Sequence, residues 1–358
     1  MAFFDVEIKK ISEIIPIEGA DFVELGKVDG MAFQFVVKKD EFKVGDDVVY
    51  FPIDSVLPQD LIEFYGISKF LTGKEHNRVK TTKFKGQYSQ GFVAPARSIE
   101  EYTNGLLPSN GVGNLAEALG VTKYEQPAIM ESSANLVRLP SFVSAYDIEG
   151  ADRYTMVTDF MMDKPVFITE KLEGMNFGVS IDENDKVVVN QRNYAIEPHE
   201  GKDHSFWKVA EGMGLIEGVK KIKKLVPEIQ TVTIRGEFVG GGSQGDYYDL
   251  KVQKVYIFEI ELNGGSISAK HFIDTLTEIG LQELIVPVLS VNVTLKDWLD
   301  GKTVQEASNG ISLLNKNKKR EGVVIKLMEE DRTTKLDGFS GRLFIKQRSP
   351  QYLAKTDN

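Results

Sequence analysis

The stretch VFITEKLEGMNFGVSI, residues 166–181, decides the reading of this chain. β-branched and aromatic residues fill VFITEKL (166–172) and FGVSI (177–181), and the Glu173-Gly174 pair between them marks a turn. Lys171 ends the first strand just ahead of the glycine turn, a position that presents a side chain to a cleft. Taken alone, a lysine flanked by Glu170 and Glu173 has the pattern of a surface ion pair. Its company down the chain changes that reading. Glu237, Glu259, Glu321 and Lys346 follow at intervals, each within or beside another strand-like apolar run. Strand placement is how one rigid sheet converges distant charges on one cleft.

Working outward, the strand-like runs are KVVVNQR (186–192), TVTIRGEFV (231–239), VYIFEIEL (255–262), GVVIKL (322–327) and RLFIK (342–346). Helical spacing predicts helices over 203–224, starting at Asp203, over 268–279, and over 294–307, starting at Thr294. Clustered strands with helices inserted between some of them indicate an α+β domain with largely antiparallel sheets, not a doubly wound fold. Towards the N-terminus, DVEIKKI (5–11), FVELGKV (22–28), FQFVVKK (33–39) and DVVYFPI (47–53) are short strands separated by turns, which predicts a small antiparallel barrel or sandwich. A less regular connection follows, so the expected domains are 1–125 and 126–358.

The chain has 358 residues, 42% hydrophobic and 27% charged, which argues against disordered, collagenous and membrane-spanning classes. It has no cysteine, so disulfides, thiolate nucleophiles and cysteine-based zinc sites are excluded. Charges at Asp5, Glu7, Lys9, Lys10, Glu13 and Glu18 break any apolar run near the start, and the expectation is a cytoplasmic protein without membrane association. The formal charge is −10, but residues 71–90 carry a net +4 and residues 311–348 a net +5. Only local fields matter at a binding surface.

The ordered set EKLEGMNF (170–177), QRN (191–193), RGEFVGG (235–241), IFEIE (257–261), EGVVIK (321–326) and LFIKQR (343–348) resembles the six collinear motifs of covalent nucleotidyltransferases, the polynucleotide ligases and capping enzymes. It is most similar to ATP-dependent RNA ligases whose nucleophile motif reads Glu-Lys-x-x-Gly-x-Asn-Phe. GADFVELGKVDG, FKVGDDVVYFPIDSVLP and RVKTTKFKGQYSQGF look like the oligonucleotide-binding (OB-like) module of the Deinococcus-type RNA ligases. The resemblance implies an ATP-grasp-like nucleotidyltransferase domain behind an OB-like barrel, with ATP and Mg²⁺ or Mn²⁺ as cofactors.

By the same resemblance Lys171 attacks the α-phosphate of ATP to form a lysyl-adenylate. Lys326 and Lys346 contact the α-phosphate; Glu173, Glu237, Glu259 and Glu321 serve as metal ligands, with ribose contacts open to the last three. Arg192, Asn176 and Arg348 reach towards phosphate or the RNA end, Phe258 stacks on adenine, and Glu170 accepts from its amino group. The implied partner is RNA as a nicked duplex or paired ends, with an RNA–DNA hybrid left open, and the enzyme is a monomer. Phosphate contacts are expected from Arg78, Lys80, Lys83, Lys85, Lys318, Lys319 and Arg320.

Attack requires the free amine. At an ordinary pKa of roughly 10.4, about one lysine in two thousand is neutral at pH 7, so Lys326, Lys346, Arg348, a bound metal ion and partial desolvation are expected to lower it. Two departures stand out. Glu173 replaces the usual aspartate, and Arg348 the usual lysine, which keeps charge but changes donor geometry. Glycines 240–242 with Gly245 lack the Lys-Ser/Thr of a phosphate loop and read as a turn. His199 and His204 read as surface residues. The alternatives are a DNA ligase or capping enzyme, which usually place the OB domain after the catalytic one, and a catalytically inactive nucleic-acid binder.

Overall fold

The computed structural model describes residues 4–111, 113–125, 131–200, 204–241 and 246–356. Asp203, Gly242 and Gly245 lie outside them. The chain divides into two compact units: residues up to 125 with 150–155 and 350–356, and the described residues of 131–149 and 156–349.

In the first unit five antiparallel strands run in the order Gln34–Lys38, Val23–Val28, Glu7–Pro16, Asp47–Phe51, Phe92–Pro95. Irregular register between Ile11 and Glu13 bends the long first strand. Its first half pairs with Asp47–Phe51 and its second with Val23–Val28, which curls the sheet into a half-barrel around Ile11, Val28, Phe35 and Tyr50. The closing strand and the hairpin Thr81–Phe84/Gln87–Gln90 fall in the stretch that sequence pattern left irregular, because each is only four residues long.

The second unit holds two antiparallel sheets. Seven strands run in the order Ala134–Arg138, Tyr194–Pro198, Val187–Asn190, Met175–Ile181, Val232–Val239, Lys254–Leu262, Gly265–Ser266. Four strands of the other run Phe344–Arg348, Gly322–Leu327, Pro165–Lys171, Val288–Thr294. Helices Ser205–Gly212, Leu215–Leu225 and Ala269–Glu278 bury Phe206, Val219, Ile222, Phe272 and Leu276 against Phe177, Val179, Ile234 and Ile257 of the larger sheet. With that face apolar, the alternation of the strands turns their polar residues the other way.

Two of the expected helices are each a pair. The 203–224 helix breaks at Gly214, whose φ is +71°, and the 294–307 helix breaks at Asp300 and Gly301, with φ of +48° and +79°. His204 is not a surface residue: it is fully buried, and its Nδ1 caps a helix by accepting the Phe206 N–H at 3.1 Å. Burial lowers its pKa against the opposing pull of Glu131. No helix among the described residues is long and apolar enough to cross a membrane.

Candidate active site

Lys171 is the last residue of Pro165–Lys171, and its cross-strand partner is Gly322, which pairs in turn with Arg348. Both motif glycines here are steric requirements. A Cβ on Gly322 would stand 2.0 Å from the Gln347 carbonyl oxygen and 2.9 Å from Arg348 Cα. A Cβ on Gly174 would stand 2.5 Å from the Phe238 carbonyl oxygen and 2.9 Å from Glu237 Cγ. The glycines thus let strand Gly322–Leu327, which pairs with the lysine strand, approach Phe344–Arg348 closely, and the 172–174 turn approach the Glu237 strand. Tyr248 Oη accepts the Glu173 N–H at 2.7 Å and holds the turn.

On the larger sheet, Asn176, Glu237 and Tyr256 form one cross-strand row and share a face. On the smaller sheet, Thr169, Val324 and Lys346 form the row next to Lys171 and Gly322 on the same face. Lys171 Nζ lies 2.6 Å from Glu321 Oε1. Burial would lower the lysine pKa, but Glu321, Glu237 and Glu173 outweigh it and the net shift is upward. With the protein's own groups alone, the acids beside the amine outweigh burial. Burial first, then Glu321 and Glu173, push Glu237 up to about 8, while Lys171 opposes. Lys346 is lowered by burial against the pull of Asp147, with Lys171 and Arg348 adding to the fall.

Two buried oxygens facing this cluster, Glu321 Oε2 and Asn176 Oδ1, have no hydrogen-bond partner among the described residues. A hard cation or a ligand donor would satisfy them. Among the described residues no group of three or more His, Asp or Glu stands at metal-ligand spacing. The carboxylates of Glu237 and Glu321 therefore fit a cation that completes its shell with water and phosphate oxygens, as Mg²⁺ and Mn²⁺ commonly do in phosphoryl-transfer sites.

Not every expected site residue groups with Lys171. Glu170 alternates to the opposite face of its strand, where its Oε2 accepts the Leu313 N–H at 2.8 Å and burial raises its pKa. Lys326 shares the Lys171 face but lies four positions along from Gly322, about 13 Å of strand. Its ammonium donates to the Phe258 carbonyl at 2.7 Å and pairs with Glu259 at 3.1 Å. Glu259 also takes Arg342 at 2.9 Å and the Tyr146 hydroxyl. Burial would raise Glu259, yet Lys326 and Arg342 hold it down at about 2. Glu259 is thus engaged in a separate ion cluster and is not grouped with Glu237 and Glu321. The Phe258 ring faces Tyr146, centroids 5.0 Å apart.

Asp147, which carries no sequence signal, bridges two expected phosphate contacts: Lys346 Nζ at 3.0 Å and Arg192 Nη2 at 2.6 Å. Tyr146, Tyr248 and Arg342 were equally unmarked. Tyr146 and Asp147 lie in the loosely patterned connection, Arg342 only opens the strand-like run RLFIK, and Tyr248 falls in no motif.

Comparison with known proteins bears directly on this geometry. An RNA ligase family model matches residues 164–347, half the chain, and an OB-fold domain model matches residues 5–96. This chain belongs to the RNA ligase family. Solved structures similar to it include lysine-to-alanine and lysine-to-methionine mutants of the Naegleria gruberi RNA ligase, the first with ATP and Mn and the second with AMP and Mn. Each is 29% identical, covers 99% of both chains and has a TM-score of 0.77. The Naegleria gruberi RNA ligase with PPi matches at 28% identity and a TM-score of 0.76, again over 99% of both chains. No curated protein matches.

The basic residues of this RNA ligase divide by what they touch. Arg78 is committed to the first unit's own structure: its Nε donates to Asp54 Oδ1 at 3.2 Å and its guanidinium lies 3.6 Å from the Tyr124 ring centroid. Arg320 is buried, donating through Nε to Ser308 O at 3.2 Å and through Nη2 to Ala307 O at 3.1 Å and Asn309 O at 2.7 Å. It caps the carbonyl end of helix Val304–Ser308 and is not offered to RNA. Lys318 pairs with Asp249 at 3.1 Å, and Lys319 and Lys80 are half-buried. Lys83 and Lys85, on the hairpin 81–90, are the exposed members of the set, Lys83 Nζ lying 5.4 Å from the Tyr88 ring centroid.

Proposed function

We propose that this RNA ligase uses ATP and a divalent cation to form a lysyl-AMP on Lys171, moves the adenylyl group to an RNA 5′-phosphate, and joins that end to an RNA 3′-hydroxyl in nicked duplexes or paired ends. The observation that carries the reading is Lys171 held 2.6 Å from Glu321, with Glu237 and Lys346 beside it. Family membership and likeness to ligase structures with ATP, AMP and PPi support it.

In the first step the Lys171 nitrogen bonds to the α-phosphorus as the bond to the bridging oxygen breaks, and pyrophosphate leaves with the electron pair. Glu321 Oε1 is the acceptor in place for the ammonium proton. Glu321 Oε2 and Glu237 would hold a cation, which supplies charge neutralisation on the phosphates and disfavours the ammonium form of the lysine. Lys346, Arg192 and Arg348 would receive the phosphate oxygens. A 5′-phosphate oxygen of RNA then displaces the lysine at phosphorus, and a 3′-hydroxyl finally displaces AMP. Catalysis in such transfers is positioning and electrostatics.

The test uses ATP labelled at the α-phosphate without RNA. The wild-type band is labelled and the Lys171→Ala band is not; equal labelling of both removes the nucleophile, and labelling from GTP alone moves the reading to capping chemistry.

A further inference from the structure

Two of the expected phosphate-binding cations, Lys346 and Arg192, share a single carboxylate, Asp147. We propose that Asp147 is a positioning residue for the ligase reaction: it draws Lys346 of one sheet and Arg192, which follows a strand of the other, onto its two oxygens and presents them as one phosphate-receiving pair. The inference rests on the proposed function above, in which these two cations meet the phosphates.

The geometry supports a shared carboxylate, not two surface contacts. Lys346 Nζ lies 3.0 Å from Oδ1 and Arg192 Nη2 lies 2.6 Å from Oδ2, and the Asp147 side chain is 9% exposed. The Ile148 N–H also donates to Oδ1 at 2.9 Å, which fixes the carboxylate on its own backbone. Lys346 comes from strand Phe344–Arg348 of the smaller sheet, and Arg192 follows strand Val187–Asn190 of the larger. No backbone pairing joins those two strands, so side chains set the spacing of the two cations. Without the carboxylate, two like charges at this distance repel and their long side chains part.

As a stabiliser such a bridge is weak, because desolvating three charges offsets most of the attraction. As an aiming device it matters more, since an error of about 1 Å in a contact to the reacting phosphate costs on the order of 10²-fold in rate. Asp147 does not touch the reacting atoms in this account. It acts through Lys346 and Arg192.

The experiment compares Asp147→Asn, Lys346→Ala and the double variant in single-turnover lysine adenylation, with thermal melts alongside. Asp147→Asn keeps the shape but not the charge. The expected result is a fall in the saturating rate on the order of 10- to 100-fold with the ATP concentration for half-maximal rate changed less than about threefold, and almost no further loss when Asp147→Asn is added to Lys346→Ala. Wild-type rate in Asp147→Asn, a defect confined to ATP affinity, or full multiplication of the two defects would overturn it. A crystal structure of Asp147→Asn supplies an activity-independent reading: Lys346 and the Arg192 guanidinium should separate, and unchanged positions overturn the proposal even if adenylation by the wild type fails.

Discussion

Glu237 is a half-buried carboxylate and Glu259 a buried one, and their surroundings send them in opposite directions. Burial takes Glu237 to about 8, so near neutral pH it carries a proton that a cation would have to displace. Mn²⁺ binding is therefore expected to tighten as pH rises from 6 to 8 and to release a proton, read by calorimetry in two buffers of different ionisation enthalpy. Buffer-independent heats would contradict this. Glu259 is held at about 2, below its ordinary 4.5, once Lys326 and Arg342 outweigh burial. A carboxylate with a depressed folded pKa contributes stability above pH 4.5 and loses it as pH falls from 4.5 towards 2. Glu259→Gln should cost about 3 kcal/mol at neutral pH, because it takes the carboxylate from the largely buried Lys326, while Arg342, a third exposed, keeps Glu330. Its urea midpoint should also fall less than the wild type's through that acid window.

Strand placement made much of the site legible in sequence. Lys171, Glu237, Glu321 and Lys346 each fall on or beside a strand-like run, and those strands do converge. What pattern could not supply was the row. Motif matching put Lys326 at the α-phosphate but could not tell that it lies four positions down the sheet from the Lys171–Gly322 pair, nor that Glu259 is already paired. Asp147 escaped because it has neither periodicity nor motif around it. Helix length failed at Gly214 and Gly301, where positive φ ends a turn that apolar spacing alone would carry on. The glycine of EGVVIK, by contrast, has a strict elemental reason. Gly322→Ala forces a Cβ to within 2.0 Å of a neighbouring carbonyl oxygen and should cost about 3 kcal/mol. Gly212→Ala, with nothing within 4 Å, should melt within a degree or two of wild type or above it. Equal melting midpoints for Gly322→Ala and wild type would show that the two strands can part without penalty.

Across the whole molecule, the Lys171 cluster and the exposed basic hairpin fall on separate compact units with separate cores. Lys171 and the carboxylates around it belong to the second unit, whereas Lys83 and Lys85 stand in solvent on a hairpin of the first. The chain is acidic overall, so RNA must be met by such local groups, and each phosphate neutralised releases counterions and adds about 0.9 to the salt slope of binding to a B-form duplex. Lys83→Ala with Lys85→Ala should lower the slope of log affinity against log salt by about 1.8 on a nicked duplex if both lysines touch phosphate, with lysine adenylation by ATP alone changed less than about twofold. Arg320→Ala belongs to a different class. It should leave the slope alone and lower the melting midpoint, because three carbonyls at the end of helix Val304–Ser308 lose their donor. Should the hairpin variant keep the wild-type slope, or Arg320→Ala reduce it without destabilising the protein, the division between solvent-facing and committed cations drawn from the fold would be reversed.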